Sequence, residues 1–143
     1  MNKTFRQLLS MSTTNTIRLS TNNGLTGYQV HKLQVIPELP GAIAGEFVCT
    51  VHSVKPATQP TTVNFDDPTL LAVAFHRSTT ATNSDDSTII IFDNKIINQD
   101  VYVCMRDATG GSNKCNYYLE LEQVKLDLSE ATVATLKDMR GRE

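Results

Sequence analysis

The residues most able to hold a metal or move a proton are three histidines, His31, His52 and His76. Each falls on a different expected strand or at a strand end, so neighbouring strands could bring them together. Cys49 stands three residues before His52. Residues three apart on a strand point to opposite faces, so that pair makes no local site. Three surface or half-buried imidazoles is the simpler reading. The paired acids Asp66-Asp67 and Asp85-Asp86 sit in loops, where carboxylates can gather calcium. Neither pair has the spaced ligands of an EF-hand loop, and both read as solvated turn acids. Glu120 and Glu122 share one face of a strand at about 7 Å, a spacing that invites comparison with glycosidase carboxylates. Nothing around them supplies the apolar pocket that raises an acid's pKa. A nucleophile would need a base and an orienting acid beside it, and no local motif provides them. Gly110-Gly111 lacks the lysine and following helix of a phosphate loop. We expect no catalytic, cofactor-binding or metal-ligating residue, no cofactor, and no enzymatic activity.

The cysteines, Cys49, Cys104 and Cys115, are odd in number and show no paired spacing, which is no disulfide framework. Cys104 and Cys115 lie on opposite arms of an expected hairpin, where a bridge is conceivable. A free cysteine is more often a small buried hydrophobe, and reducing conditions during assembly are the simpler assumption.

These residues must be positioned by strands. The chain has 143 residues, 40% hydrophobic and 20% charged, with a formal net charge of −2. That describes one globular domain, or one domain with an arm. It offers no basic surplus for nucleic acid and no apolar run of roughly 20 residues to span a bilayer. The opening residues lack the apolar core and cleavage site of a signal peptide. The wealth of Thr, Ser and Asn, without Trp, suits strands and turns.

The clearest periodicity lies between residues 100 and 126. Tyr117, Leu119 and Leu121 alternate with Asn116, Tyr118, Glu120 and Glu122, which is a strand with one buried and one wet face. Val101 to Met105 is apolar on both parities, like a central strand. Ala108 to Asn113 is turn chemistry, so the two are expected to form an antiparallel hairpin. Upstream strands are expected over Tyr28–Ile36, where Leu33 and Val35 share a parity with His31, and over Glu46–Val54, where Phe47, Cys49 and Val51 share a face. Others are expected at Leu70–Phe75 and Ile89–Phe92, with Arg77 to Ser87 as a polar loop. Proline, glycine and asparagine breaks separate them, with no helical pattern between. Residues 1–24 read as an extended arm with at most one short strand, held by something outside the domain. From Leu128 to Met139 a short helix is expected. Ser129 stands at its N-cap, Leu128 and Val133 at the staple positions, Arg140 near the negative end of the dipole, and Gly141 at C′. Val133, Ala134, Leu136 and Met139 form its apolar stripe. The expected fold is all-β: an antiparallel β-sandwich or jelly roll over residues 25–128, with an N-terminal arm (1–24) and a C-terminal helix and tail (129–143). Leu119, Leu121, Val101, Val103, Phe75 and Val51 are its expected core.

The stretch Phe92 to Val103, the run Asn116 to Glu122, and the ending Ala134 to Arg140 resemble small virion proteins of tailed bacteriophages, especially marine ones. The resemblance covers about the last third of the chain. It implies a β-sandwich that decorates a capsid or forms part of a tail, and that works by binding. On it rests the expectation of a capsid decoration or cement protein in the virion, assembled in the host cytoplasm. The expected partners are the major capsid protein or other virion proteins and further copies of this chain, with no nucleic acid and no membrane. The alternative it leaves open is a carbohydrate-binding sandwich of a tail or fibre, for which 6% aromatic content is low.

Overall fold

The computed structural model describes residues 2–10, 13–19, 25–39, 45–57, 62–78, 86–92, 96–107 and 114–140. The strands are β1 (Asn2–Leu9), β2 (Thr13–Ile17), β3 (Thr26–Pro37), β4 (Gly45–His52), β5 (Leu70–Ser78), β6 (Asp86–Ile91), β7 (Val101–Asp107) and β8 (Cys115–Lys125). A single described helix, α1 (Leu128–Arg140), follows. They form two antiparallel sheets, one of three strands in the order β1-β8-β3 and one of five in the order β2-β7-β4-β5-β6. The sheets pack face to face, which is the expected all-β sandwich with one C-terminal helix.

The core follows the alternation. Tyr117, Leu119 and Leu121 of β8 are buried, as are Phe47, Cys49 and Val51 of β4 and Val101 and Val103 of β7. Phe75 is only half-buried, because the buried stretch of β5 ends at Ala74. His31 breaks the parity expected of it. The register of β3 against β8 shifts between Val30 and Lys32, and the bulge leaves His31 exposed while Leu33 and Val35 stay inside.

The expected hairpin does not form. β7 and β8 lie in different sheets, each a central strand: β7 between β2 and β4, β8 between β1 and β3. Turn residues permit either a hairpin or a crossing between sheets, so the choice falls to long-range pairing. Residues 108–113, where the turn was placed, lie outside the described residues. With the hairpin goes the case for a bridge: Cys49, Cys104 and Cys115 are all free and buried.

The first 24 residues also depart from expectation. β1 pairs along its whole length with β8, from Asn2 opposite Glu122 to Leu9 opposite Cys115. β2 pairs with β7, from Thr13 opposite Met105 to Ile17 opposite Val101. Leu9, Ile17 and Leu19 are buried in the core. The segment looked too poor in apolar residues to hold itself. A ladder of backbone hydrogen bonds is blind to side-chain polarity, however, and three well-placed apolar residues suffice to seat an edge strand on each sheet. The described part of the presumed arm is therefore part of the sandwich rather than a free extension. The strands β5 and β6 likewise extend into the expected polar loop, to Ser78 and from Asp86.

The helix begins at Leu128, as expected, but its cap lies two residues before the expected one. Asp127, not Ser129, caps it: the Glu130 N–H donates to Asp127 Oδ1 at 2.8 Å, and the Asp127 N–H donates to Glu130 Oε1 at 3.4 Å. This is a capping box, and those bonds hold the Asp127 carboxyl below the usual carboxylate range. Ala131 and Ala134 face a small satellite core with Leu126, against which Leu25, Ile96 and Val124 pack. Asn98, fully buried, donates from Nδ2 to the Ala131 carbonyl at 3.2 Å and to Thr135 Oγ1 at 2.8 Å. Gly27 lets β3 lie close to two of these side chains: an added Cβ would come within 2.6 Å of Ile96 Cγ2 and 3.0 Å of Leu126 Cδ1. Gly141 and the side chains of Met139 and Arg140 lie outside the described residues.

Candidate binding faces

The three histidines do not converge. His31 stands on the outer side of the three-stranded sheet, with Nε2 4.0 Å from Glu120 Oε1. His52 and His76 occupy opposite ends of the β4–β5 ladder, opposite Leu70 and Phe47 respectively. Five residues of strand separate those rows, about 17 Å. Among the described residues no group of three or more His, Cys, Asp or Glu could hold a metal ion.

His52 is nonetheless the most unusual titratable group. It is buried, with Nε2 3.0 Å from Thr50 Oγ1, while Nδ1 has no hydrogen-bond partner among the described residues. Asp67 Oδ2 lies 3.8 Å from Nδ1, beyond hydrogen-bond length. Asp67 is turned away by its own turn: its Oδ1 accepts from the Thr69 N–H at 2.9 Å and from the Thr69 hydroxyl at 2.7 Å. Burial pushes the His52 pKa down, and the Asp67 charge opposes this only in part. These groups line a cleft of about 420 Å³ that also admits Lys55 and Asn64. Hydroxyl, imidazole and carboxylate stand in the order of a proton relay. The step between imidazole and carboxylate is not bonded, and Thr50 is itself buried, so this arrangement transfers no proton as it stands.

The thiols are equally withdrawn. Burial, then the neighbouring thiols of Cys115 and Cys104, pushes the Cys49 pKa far up. Burial, then the charge of Asp107, pushes Cys115 up to about 12. Burial also raises Cys104, whose Sγ lies 3.5 Å from Thr14 Oγ1. Thiols so held are poor nucleophiles at neutral pH.

Of the acids, Asp66 and Asp67 belong to the turn before β5; Asp85 and the side chain of Asp86 lie outside the described residues. Glu120 accepts from Asn2 Nδ2 at 2.5 Å and from the Tyr118 hydroxyl at 3.1 Å, and Glu122 is exposed. Glu120 is thus taken up by local bonds.

Among the described residues, two surfaces carry exposed apolar side chains in an ordered array. The first is the outward side of α1. The helix sits on the sandwich through its alanines, so the larger residues of its expected stripe face away. Leu128 is 76% exposed, Val133 52% and Leu136 50%. The second is the outer face of the three-stranded sheet. Its register sets Arg6, Tyr118 and Gln34 side by side in one cross-strand row, and Leu8, Asn116 and Ile36 in the next. These rows line an open groove of about 450 Å³. Sequence reasoning missed this groove because it is assembled by the pairing of β1 with β8. The alternation of Thr4, Arg6 and Leu8 against Phe5, Gln7 and Leu9 was the available signal.

No described helix is long and apolar enough to cross a membrane. The sequence matches no known family model and no curated protein.

Proposed function

We propose that this protein is a structural component of a tailed-phage particle, a capsid decoration or cement protein that works by binding. Its partners are the major capsid protein or other virion proteins, and it acts as a homo-oligomer on the virion surface. The resemblance of residues 92–103 and 116–122 supports the class of protein. The observation that supports binding as its mode of action is the outward face of α1. Leu128, Val133 and Leu136 are exposed on a helix that is capped by Asp127 and pinned by Asn98. A helix fixed in this way presents branched apolar side chains on a backbone that is already ordered. Fully burying a Val or Leu contributes roughly 1.5–3 kcal/mol, so covering this face is a substantial source of affinity.

The test is co-sedimentation with capsids that lack the protein, using the full chain and the double variant Val133→Ser, Leu136→Ser. Both positions are half exposed, so the variant should melt at the same temperature as the parent. The parent should pellet with capsids and the variant should stay in the supernatant. A parent that does not pellet, or a variant that pellets equally well, refutes the proposal.

A further inference from the structure

We infer that the outer face of the three-stranded sheet is a saccharide-binding groove, suited to an oligosaccharide that carries a sugar carboxylate. A sugar ring would rest on Tyr118 and its carboxylate would meet Arg6.

The groove is built on three paired strands, so the backbone positions that carry its side chains are fixed relative to one another. Arg6 and Gln34 flank Tyr118 directly, from β1 and β3. Leu8 and Ile36, both exposed, flank Asn116 in the neighbouring row. The Tyr118 hydroxyl donates to Glu120, two residues along the same strand and on the same face. A tyrosine whose hydroxyl is tied along its own strand is held close to the sheet, where its half-exposed ring can serve as a platform. Such a platform, with Leu8 and Ile36 beside it, suits the apolar C–H face of a pyranose.

The polar groups around that platform are uncommitted. Among the described residues, the side chains of Arg6, Gln34 and Asn116 take part in no hydrogen bond or ion pair. Two carboxamides offer donors and acceptors in the pairs that sugar hydroxyls need. A free guanidinium prefers a carboxylate, which it can bind through two parallel bonds. The volume, about 450 Å³, falls in the range of small-molecule sites.

Position gives the groove a use. The helix packs against Val124 and Leu126, at the far end of β8 from Tyr118. Six residues of strand separate Tyr118 from Val124, about 20 Å. A molecule docked through α1 therefore carries the groove away from the docking surface.

The experiment is a titration of the full-length protein, followed by amide and side-chain chemical shifts, with a uronic-acid trisaccharide and a neutral trisaccharide as probes. The acidic probe should give saturable shifts confined to the groove, at an affinity that falls with added salt. Tyr118→Ala should weaken it by roughly tenfold or more, as loss of a central aromatic anchor does. Arg6→Gln should bring the acidic probe down to the affinity of the neutral one. Gln34→Ala, at an exposed position, should also weaken binding, and it stands in for Tyr118→Ala if that variant melts early. Binding of neither probe overturns the inference, as does acidic binding indifferent to Tyr118→Ala and Gln34→Ala. Equal binding of both probes by the parent overturns the role of Arg6. A change of oligomeric state in Tyr118→Ala, with no saccharide bound, would make the groove a self-contact and also overturn it. The titration uses no capsid, so its failure and the failure of capsid docking are separate results.

Discussion

Replacing Asn98 by Ala should detach the C-terminal helix before the sandwich melts. Asn98 is fully buried, and its Nδ2 holds the Ala131 carbonyl and the Thr135 hydroxyl at 3.2 and 2.8 Å. The apolar anchorage of α1 is slight: two alanines against Leu126 and three half-buried neighbours. Methyl groups of alanine bury little area, so the polar contacts carry a large share of the attachment. Each lost hydrogen bond costs about 1 kcal/mol net. The two together come to about 2 kcal/mol, a large fraction of the local stability expected of a short surface helix. The assay is native-state amide exchange, with circular dichroism at 222 nm. In the variant, the amides of Ala134 and Thr135 should exchange much faster, while those of Leu119 and Leu121 keep their protection. If the helix amides exchange as slowly as in the parent, Asn98 does not pin α1. If the β8 amides lose protection in step with the helix, α1 is part of the global folding unit. Either result refutes the reasoning.

Three further outcomes follow from the packing. Leu121→Ala, at a fully buried position on β8, should cost about 2–5 kcal/mol in denaturant melts, and Phe75→Ala, at a half-buried one, should cost visibly less. Deleting residues 1–9 should unfold the domain or lower its melting temperature sharply, because it removes the partner of β8 along eight paired positions; a truncated chain that melts like the parent would show that β1 is dispensable. His52 should make stability fall on acidification: its folded pKa is lowered by burial, so the unfolded chain binds the proton first, and stability is lost as pH drops below about 6.5, the unfolded value. Asp67 is the charge nearest the ring, while the paired positions on the neighbouring strands are Tyr102 and Leu70. A His52→Gln variant whose melting temperature keeps the full pH dependence of the parent between pH 5 and 7 would assign the effect elsewhere.

Most strands were legible because burial on one face writes an alternating pattern. The Tyr117, Leu119, Leu121 series survives in the fold without change, as does Phe47, Cys49, Val51. What failed was pairing. The run Val101 to Met105 and the run from Tyr117 announce strands, and the glycines between them announce a reversal. None of these residues records whether the chain returns beside itself or crosses to the other sheet. The same blindness hid β1, whose polar residues carry no core signal while its backbone closes a full ladder. The helix was seen but turned over. Sequence position could not decide whether Val133 and Leu136 or Ala131 and Ala134 would face the sandwich. The donor at Asn98, which reaches the Ala131 carbonyl and the Thr135 hydroxyl, favours the small face.

That inversion bears directly on function. Packing Val133 and Leu136 against the sandwich would have buried more apolar area and stabilised the isolated domain. The fold instead caps the helix at Asp127 and pins its alanine face through the buried Asn98. Each of these stabilises the helix in an orientation that leaves larger apolar residues exposed. That orientation leaves the apolar face on which the proposed docking would rest. The groove over Tyr118 repeats the pattern at the other end of β8, where the side chains of Arg6, Gln34 and Asn116 stand on paired strands with no partner among the described residues. β8 runs through the middle of the three-stranded sheet from one surface to the other. A substitution in its core, such as Leu121→Ala, should therefore loosen both surfaces together, whereas Val133→Ser with Leu136→Ser and Tyr118→Ala should each silence one of them alone.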